Sequence, residues 1–352
     1  MARSRRSRRL RRLALPLVVG IGAGVAASRT VARRRPLVAP VAADLRSPIL
    51  YVPLSLRSER VLGAIRSLPA PALPTPDGVT VGSRTIATDG GDLRLVTYER
   101  GDRKRPGPAL VWIHGGGLVL GTPEQGHPLC GRWADELDLL VVSVDYRLAP
   151  EHPFPDGLDD CDAALRWVHD EAEALGVDAD RIAVGGDSAG GGLAAALSQL
   201  ARDRGGPAIR FQLLEYPMLD DRTVLRTDHG DRGSFIWTNA SNEFAWTAYL
   251  GRRPIEADAP RYAAPARTED LQDLPAAWVG VGDLDLFRDE DVDYAERLRA
   301  AGVACDLSVE PGMYHGADAI APTAATTVRF RDEMTAALAA GLGIDAAAPA
   351  LG

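Results

Sequence analysis

The residues that point most directly to chemistry are Gly-Asp-Ser-Ala-Gly at positions 186–190, with Ser188 at the centre. A short apolar run at 181–184 precedes this motif, and an alanine- and leucine-rich segment at 189–204 follows it. A Gly-x-Ser-x-Gly sequence between a strand and a helix is typical of a nucleophile elbow, a strained turn that exposes the serine hydroxyl. The amides at the start of the following helix would stabilise negative charge beside this hydroxyl. The pattern therefore predicts that Ser188 is a nucleophile.

A second glycine-rich turn, His-Gly-Gly-Gly at 114–117, directly follows an apolar run. Backbone N–H groups can turn inward at such a position because glycine has no Cβ in the way. We predict that the N–H groups of Gly116, Gly117 and Ala189 stabilise an oxyanion, and one such donor is worth roughly two to three orders of magnitude in rate. A phosphate-binding loop is not favoured, since no Lys-Ser or Lys-Thr follows the glycines. His114 itself is predicted to be structural.

A nucleophilic serine needs a general base and an acid that orients the base. After a nucleophile elbow the order along the chain is serine, then acid, then histidine. Only His229 and His315 follow Ser188 in the sequence. His229 lies in a polar stretch, whereas His315 follows the last predicted strand and is the predicted base. The acid should follow the preceding strand, where both Asp283 and Asp285 stand, and the residues alone leave the choice between them open.

The elements that would position these residues form a regular series along the chain. Two runs that alternate between apolar and polar residues predict an antiparallel hairpin. Six short apolar runs separated by helical segments follow, and such strands imply a parallel sheet covered on both faces. The predicted fold class is therefore α/β, with an eight-stranded, mostly parallel sheet flanked by helices. The predicted strands are Val79–Thr88, Leu93–Glu99, Ala109–Ile113, Leu139–Asp145, Arg181–Val184, Ile209–Glu215, Pro275–Val281 and Cys305–Val309.

Two segments do not fit this series. Residues 36–78 are rich in proline and are predicted to form an N-terminal cap or linker. Residues 219–250 are first polar and then rich in aromatic residues, and they are predicted to be an insertion that completes a cap over the carboxyl ends of the strands. An exposed apolar cluster of that size normally marks a binding surface. Trp237 and Trp246 are therefore predicted to line a substrate pocket.

The first 35 residues contain eleven arginines and no acidic residue, with an apolar run at 13–27. This run has the length of the apolar core of a signal peptide and is short for a bilayer span. We predict that residues 1–35 are a leader that exports the chain or associates it with a membrane, with a cytoplasmic protein as the alternative. The remaining residues carry a formal net charge of −19, against −8 for the whole chain, which argues against nucleic acid as a partner.

The cysteines and histidines indicate neither a disulfide framework nor a metal site. Cys130, Cys161 and Cys305 lie far apart with apolar neighbours, which favours three buried thiols. The six histidines form no cluster with the spacing of metal ligands. No metal and no cofactor are therefore predicted.

Taken together, the motifs resemble those of the hormone-sensitive-lipase-like carboxylesterases, a group of α/β hydrolases. The resemblance extends from about residue 79 to about residue 338, and we place the hydrolase domain at 79–342 with its cap insertion at 219–250. By this resemblance the acid is Asp285 rather than Asp283, because Asp285 opens a segment that matches the family's pattern. Leu286 replaces the usual proline, and Ala317 stands where an aromatic residue is common. The motifs that carry the resemblance lie at residues 114–117, 145–155, 186–191 and 285–290.

The resemblance implies a serine carboxylesterase for short- to medium-chain esters that works without a cofactor. Ser188, His315 and Asp285 would form its triad and pass through an acyl-enzyme intermediate. An amidase or peptidase of the same fold would use the same triad, and the sequence excludes it only weakly. A non-catalytic relative that binds small molecules is a further alternative, which is disfavoured because all three triad positions are filled. The expected partner is a small-molecule ester.

Overall fold

The computed structural model describes residues 28–68, 73–74 and 77–344. One eight-stranded sheet forms its centre, and each strand predicted from the sequence is present with ends shifted by a few residues at most. The strands are β1 (Val79–Thr88), β2 (Gly91–Arg100), β3 (Gly107–Ile113), β4 (Leu140–Val144), β5 (Val177–Asp187), β6 (Phe211–Glu215), β7 (Ala276–Gly282) and β8 (Cys305–Glu310).

The strands follow the order β1-β2-β4-β3-β5-β6-β7-β8 across the sheet. β1 and β2 form the predicted hairpin, β2 is also antiparallel to β4, and the pairings from β4 to β8 are all parallel. Parallel strands have their carboxyl ends at the same edge of a sheet, which is where ligands bind in open α/β sheets. The residues that follow β3, β5, β7 and β8 therefore meet at one edge.

Helices cover both faces of the sheet. α4, α6 and α8 pack against one face, and α3 and α10 pack against the other. In the described part of the chain the helices are α1 (28–38), α2 (Glu59–Arg66), α3 (His127–Glu136), α4 (Asp156–Asp170), α5 (Ala172–Leu175), α6 (Ala189–Arg204), α7 (Asn239–Leu250), α8 (Arg288–Ala300), α9 (Ala317–Ile320) and α10 (Ala325–Gly341).

The helix α6 has the bounds that its sequence predicts, and it packs unusually close to the sheet. Every residue from Ala189 to Ala201 is buried. A Cβ on Gly190 would overlap the carbonyl oxygen of Ile113 at the end of β3, so only glycine allows this approach. The first turn of α6 is thereby held against the start of the glycine-rich turn that follows β3.

The N-terminal segment and the insertion pack against each other. Arg34 of α1 donates a hydrogen bond to the Ser234 carbonyl oxygen at 2.7 Å, and its guanidinium lies 5.1 Å from the centroid of the Phe235 ring. Further along, the Leu56 N–H donates to Ser241 Oγ at 2.9 Å. Segments far apart in the sequence are thus in direct contact.

The leader predicted at residues 1–35 lies mostly outside the described residues. The boundary predicted after residue 35 falls inside α1, because this helix spans residues 28–38. Arg34 of the same helix is bonded to the rest of the protein through the Ser234 carbonyl oxygen. Among residues 28–68, 73–74 and 77–344, no helix is both long enough and apolar enough to cross a bilayer.

The three cysteines behave as their sequence positions indicate. Cys130, Cys161 and Cys305 are all buried, and none of them forms a disulfide. Burial raises the pKa of the Cys305 thiol to about 11, so this group is a packed thiol rather than a reactive thiolate.

Candidate active site

Ser188 lies on the turn between β5 and α6. Its φ of 54° and ψ of −117° form a conformation that residues other than glycine rarely adopt. The Ser188 N–H donates to the Glu215 carbonyl oxygen at 2.8 Å, and the Ser188 carbonyl accepts from the Met218 N–H at 2.9 Å. Because Glu215 ends β6 and Met218 lies just beyond it, the neighbouring strand holds this strained turn in place.

His315, on the loop between β8 and α9, links the serine to an acid. Its Nε2 lies 2.9 Å from Ser188 Oγ, and its Nδ1 lies 2.8 Å from Asp285 Oδ2. Asp285 is fully buried, and its other carboxylate oxygen accepts from the Phe287 N–H at 3.0 Å. A carboxylate at Nδ1 favours the tautomer whose Nε2 carries no proton. Nε2 is therefore able to accept the hydroxyl proton of Ser188.

The two alternatives that the sequence left in competition occupy different places. Asp283 Oδ1 accepts a hydrogen bond from the Gly312 N–H at 2.7 Å, which ties down the loop that leads to His315. His229 donates from Nε2 to the Thr223 carbonyl oxygen within the insertion at 3.1 Å. The structure thus brings Asp285 and His315, rather than Asp283 and His229, into contact around Ser188.

The glycine-rich turn after β3 presents unused backbone donors near the nucleophile. Gly116 and Gly117 have φ values of +125° and +63°, which are strained for any residue with a side chain. Within the described part of the protein, no hydrogen bond uses the N–H of Gly116, Gly117 or Ala189. Ala189 is the residue directly after Ser188 and the first residue of α6. None of the three predicted donors is therefore committed to an acceptor among the described residues.

One acidic neighbour of the triad was missed by the sequence reasoning. Asp187 Oδ1 accepts a hydrogen bond from the Gly115 N–H at 2.9 Å, so the residue before the nucleophile holds the glycine-rich turn. Burial raises the pKa of the Asp187 carboxyl to about 6, although the Gly115 N–H acts in the opposite direction. The carboxyl group beside Ser188 in the motif was the available signal.

Two aromatic neighbours of the base were also missed. The rings of Tyr216 and Phe287 pack edge-on against the His315 imidazole, with centroids 4.8 and 5.1 Å away. They restrict the plane of the imidazole from two sides. Phe287 stands two residues after Asp285, which was the available signal for it. Tyr216 gave no such signal, because it lies on a separate loop after β6 that meets His315 only in the folded protein.

The aromatic insertion is not an exposed cluster, and the prediction that it is exposed is wrong. Phe235, Trp237, Trp246 and Tyr249 are all buried, because the N-terminal segment and the sheet cover them. Trp237 lies beside the site: its ring occupies the space that a Cβ on Gly117 would need, and its centroid is 6.4 Å from that of His315. Trp246 is 1% exposed and packs near Tyr249 in the core.

His114 has the environment of a structural residue. Burial lowers its pKa to about 4, so the imidazole is neutral at physiological pH. It stacks on the Tyr146 ring with 4.4 Å between centroids, and the Tyr146 hydroxyl donates to the His114 carbonyl oxygen at 2.9 Å. Across the part of the chain that the structure describes, no group of three or more histidine, cysteine or acidic side chains is placed to hold a metal ion.

Comparison with known proteins identifies the family. Residues 110–319 match the model of a family that has the alpha/beta hydrolase fold. The chain belongs to this family. It is 42% identical over 257 residues to carboxylesterase NlhH of Mycobacterium tuberculosis strain H37Rv, an alignment that covers 72% of this chain and 79% of that protein. It is 35% identical over 224 residues to an ethyl acetate hydrolase of Pseudomonas putida, covering 63% of this chain and 70% of the relative.

Solved structures agree with this assignment. A bacterial heroin esterase superposes with a TM-score of 0.75 at 37% identity, over 86% of this chain and 98% of that one. The esterase LipW from Mycobacterium marinum superposes with a TM-score of 0.72 at 33% identity, over 87% and 99% of the two chains. The fold class and the resemblance to the hormone-sensitive-lipase-like esterases, both predicted from the motifs, are confirmed.

Proposed function

We propose that this family member is a serine carboxylesterase in which Ser188, His315 and Asp285 are the catalytic triad. Carboxylic ester hydrolysis is the activity in the names of relatives that are 42% and 35% identical to this chain. The observation that carries the residue assignment is the continuous chain of contacts from Ser188 Oγ to His315 Nε2 and from His315 Nδ1 to Asp285 Oδ2.

Each step follows from the position of these groups. His315 Nε2 takes the proton as Ser188 Oγ attacks the ester carbonyl carbon, and the Gly116, Gly117 and Ala189 N–H groups stabilise the resulting oxyanion. Collapse of this intermediate breaks the bond to the alcohol oxygen, which receives the proton from His315. Water then attacks the acyl-enzyme with His315 again as base, releasing the acid and restoring the Ser188 hydroxyl.

We assign the substrates to esters of short to medium acyl chains. The name of the Pseudomonas putida relative, an ethyl acetate hydrolase, supports a small acyl group. The Trp237 ring, packed against Gly117 beside His315, limits the space around the reacting carbonyl.

Matched substrates test the proposal against an amidase or peptidase. We expect nitrophenyl esters of graded acyl length to be hydrolysed with a maximum at short or medium chains. The corresponding nitroanilides should be cleaved at least about a thousandfold more slowly, because the anilide leaving group needs protonation by a correctly placed acid. Comparable kcat/KM values for ester and anilide would favour the amidase instead.

Trp237→Ala should change the acyl-length selectivity of the enzyme. Removing the indole enlarges the space beside Gly117, so kcat/KM for a long acyl ester should rise relative to that for a short one by about tenfold. A change of this size is what one methylene group typically produces in an apolar pocket. Trp246→Ala is the matched control: it should lower the free energy of unfolding by about 3–5 kcal/mol and leave the selectivity ratio unchanged. If the ratio is the same in both variants, Trp237 has no part in the pocket.

We also propose that residues 1–35 carry the protein to or across a membrane, on the basis of their eleven arginines and the apolar run at 13–27. A reporter fused after residue 35 should be recovered in the membrane or exported fraction of a bacterial host. Removing residues 1–27 from the same fusion should return the reporter to the cytoplasm. A full-length fusion that stays entirely in the cytoplasm contradicts the proposal.

A further inference from the structure

The glycine-rich turn after β3 needs external support. It continues to Leu120, where the Val119 and Leu120 N–H groups donate to the Gly116 carbonyl oxygen at 3.2 and 2.9 Å, and Asp187 holds its start through the Gly115 N–H. Gly117 and Leu118 both have positive φ, 63° and 65°, and Leu118 is not a glycine. Such a conformation persists only where the surroundings determine it. The Leu118 and Val119 carbonyl oxygens accept hydrogen bonds from groups outside the turn.

Arg66, the last residue of α2, supplies this support from the N-terminal segment. Its Nε and Nη2 both donate to the Val119 carbonyl oxygen, at 3.0 and 2.8 Å, and Nη2 also donates to the Ala149 carbonyl oxygen at 2.8 Å. The Ala149 N–H in turn donates to the Leu118 carbonyl oxygen at 2.9 Å. Two successive carbonyl groups of the turn are thus fixed, one directly by the guanidinium and one through a residue that the guanidinium also binds.

The helix α2 holds the Arg66 side chain in place because α2 is itself packed against the protein. Leu62 is buried on the inner side of the helix, and the preceding Leu56 N–H is bonded to Ser241 of the insertion. Arg66 stands in the last turn of α2, where the helix dipole favours a cation. Its remaining partner, Glu151, is 58% exposed, so that ion pair contributes little.

We propose that Arg66 is a positioning residue that sets the oxyanion-binding turn from the cap. The inference rests on the proposed role of the Gly116 and Gly117 N–H groups. The planar fork of the guanidinium suits it to hold two carbonyl oxygens at once, which a lysine ammonium cannot reproduce in the same geometry. A displacement of the turn by about 1 Å would be enough to lower the rate by about a hundredfold. The N-terminal part of the cap would thereby affect the catalytic rate in addition to enclosing the substrate.

The test compares Arg66→Gln and Arg66→Lys with Glu151→Gln in the full-length enzyme. Arg66→Gln should lower kcat for a short ester by about ten- to a hundredfold with KM changed by less than about threefold, and the inhibition constant of a trifluoromethyl ketone should rise by a similar factor. Arg66→Lys should fall between this variant and the parent. Glu151→Gln, which removes only the exposed ion pair, should keep kcat within about twofold.

The outcomes separate this inference from the proposed function. If the parent hydrolyses esters but Arg66→Gln retains its kcat, or loses only affinity for substrate, Arg66 does not position the turn. An equal loss of kcat in Glu151→Gln also contradicts the inference. If Arg66→Gln does not fold, Arg66→Lys decides, because a kcat equal to that of the parent would exclude the need for a bidentate fork. Failure of the proposed function itself would appear in the parent, as the absence of ester hydrolysis.

Discussion

Purified Ser188→Ala should lose ester hydrolysis to trace levels, with kcat reduced by about a millionfold, as expected when the nucleophile of a serine hydrolase is removed. The substitution removes one oxygen atom and its contact with His315 Nε2, and alanine tolerates the strained backbone no worse than serine does. The fold should therefore survive. Steady-state hydrolysis of a short nitrophenyl ester and thermal unfolding of the same preparations measure the two effects.

Ser198→Ala provides a matched control on the same helix. Ser198 is also buried in α6, but its hydroxyl donates to the Ala194 carbonyl oxygen and has no contact with the triad. This variant should keep its activity and should still be labelled by a fluorophosphonate, as the parent should be, whereas Ser188→Ala should not. More than trace activity in Ser188→Ala would overturn the mechanism. Absence of labelling in the parent would favour a non-catalytic binding protein.

The fold and much of the site could be predicted because their signals are local. Each strand is a short run of apolar residues, and the elbow and the glycine-rich turn are contiguous motifs whose chemistry depends on their neighbours in the chain. His315 could be predicted because the base follows the serine and the acid in the chain, and because His315 comes after the last strand. The geometry of these residues follows from parallel strands that end at one edge of the sheet.

The remaining features depend on contacts between distant segments. Tyr216 and Phe287 reach His315 from separate loops, and Arg66 reaches the Val119 carbonyl oxygen across more than fifty residues of sequence. The exposure predicted for the aromatic insertion was wrong for the same reason. Composition indicates a large apolar surface, but it does not indicate that α1 and the sheet cover this surface in the folded chain.

The choice between Asp283 and Asp285 shows where local pattern stops being informative. Residues two positions apart in an extended segment point to the same side, so alternation gives no preference. Position along the loop and the family's pattern both favour Asp285. In the structure, Asp285 Oδ2 lies 2.8 Å from His315 Nδ1, whereas Asp283 Oδ1 is used by the Gly312 N–H. The contacts therefore assign different tasks to two neighbouring carboxylates.

Asp285→Asn should lower kcat by up to about four orders of magnitude while the protein stays folded. An amide in place of the carboxylate can donate to His315 Nδ1 and so favours the tautomer whose Nε2 already carries a proton, which leaves no base for Ser188. Asp283→Asn is the matched control, since its amide oxygen can still accept from the Gly312 N–H. It should keep kcat within about a few fold, because a neutral acceptor loses only part of one hydrogen bond. The reverse ranking of the two variants would transfer the orienting role to Asp283 and leave Ser188 and His315 in place. A large loss of kcat in both variants would mean that the loop before His315 depends on the charge of Asp283 as well as on its oxygen.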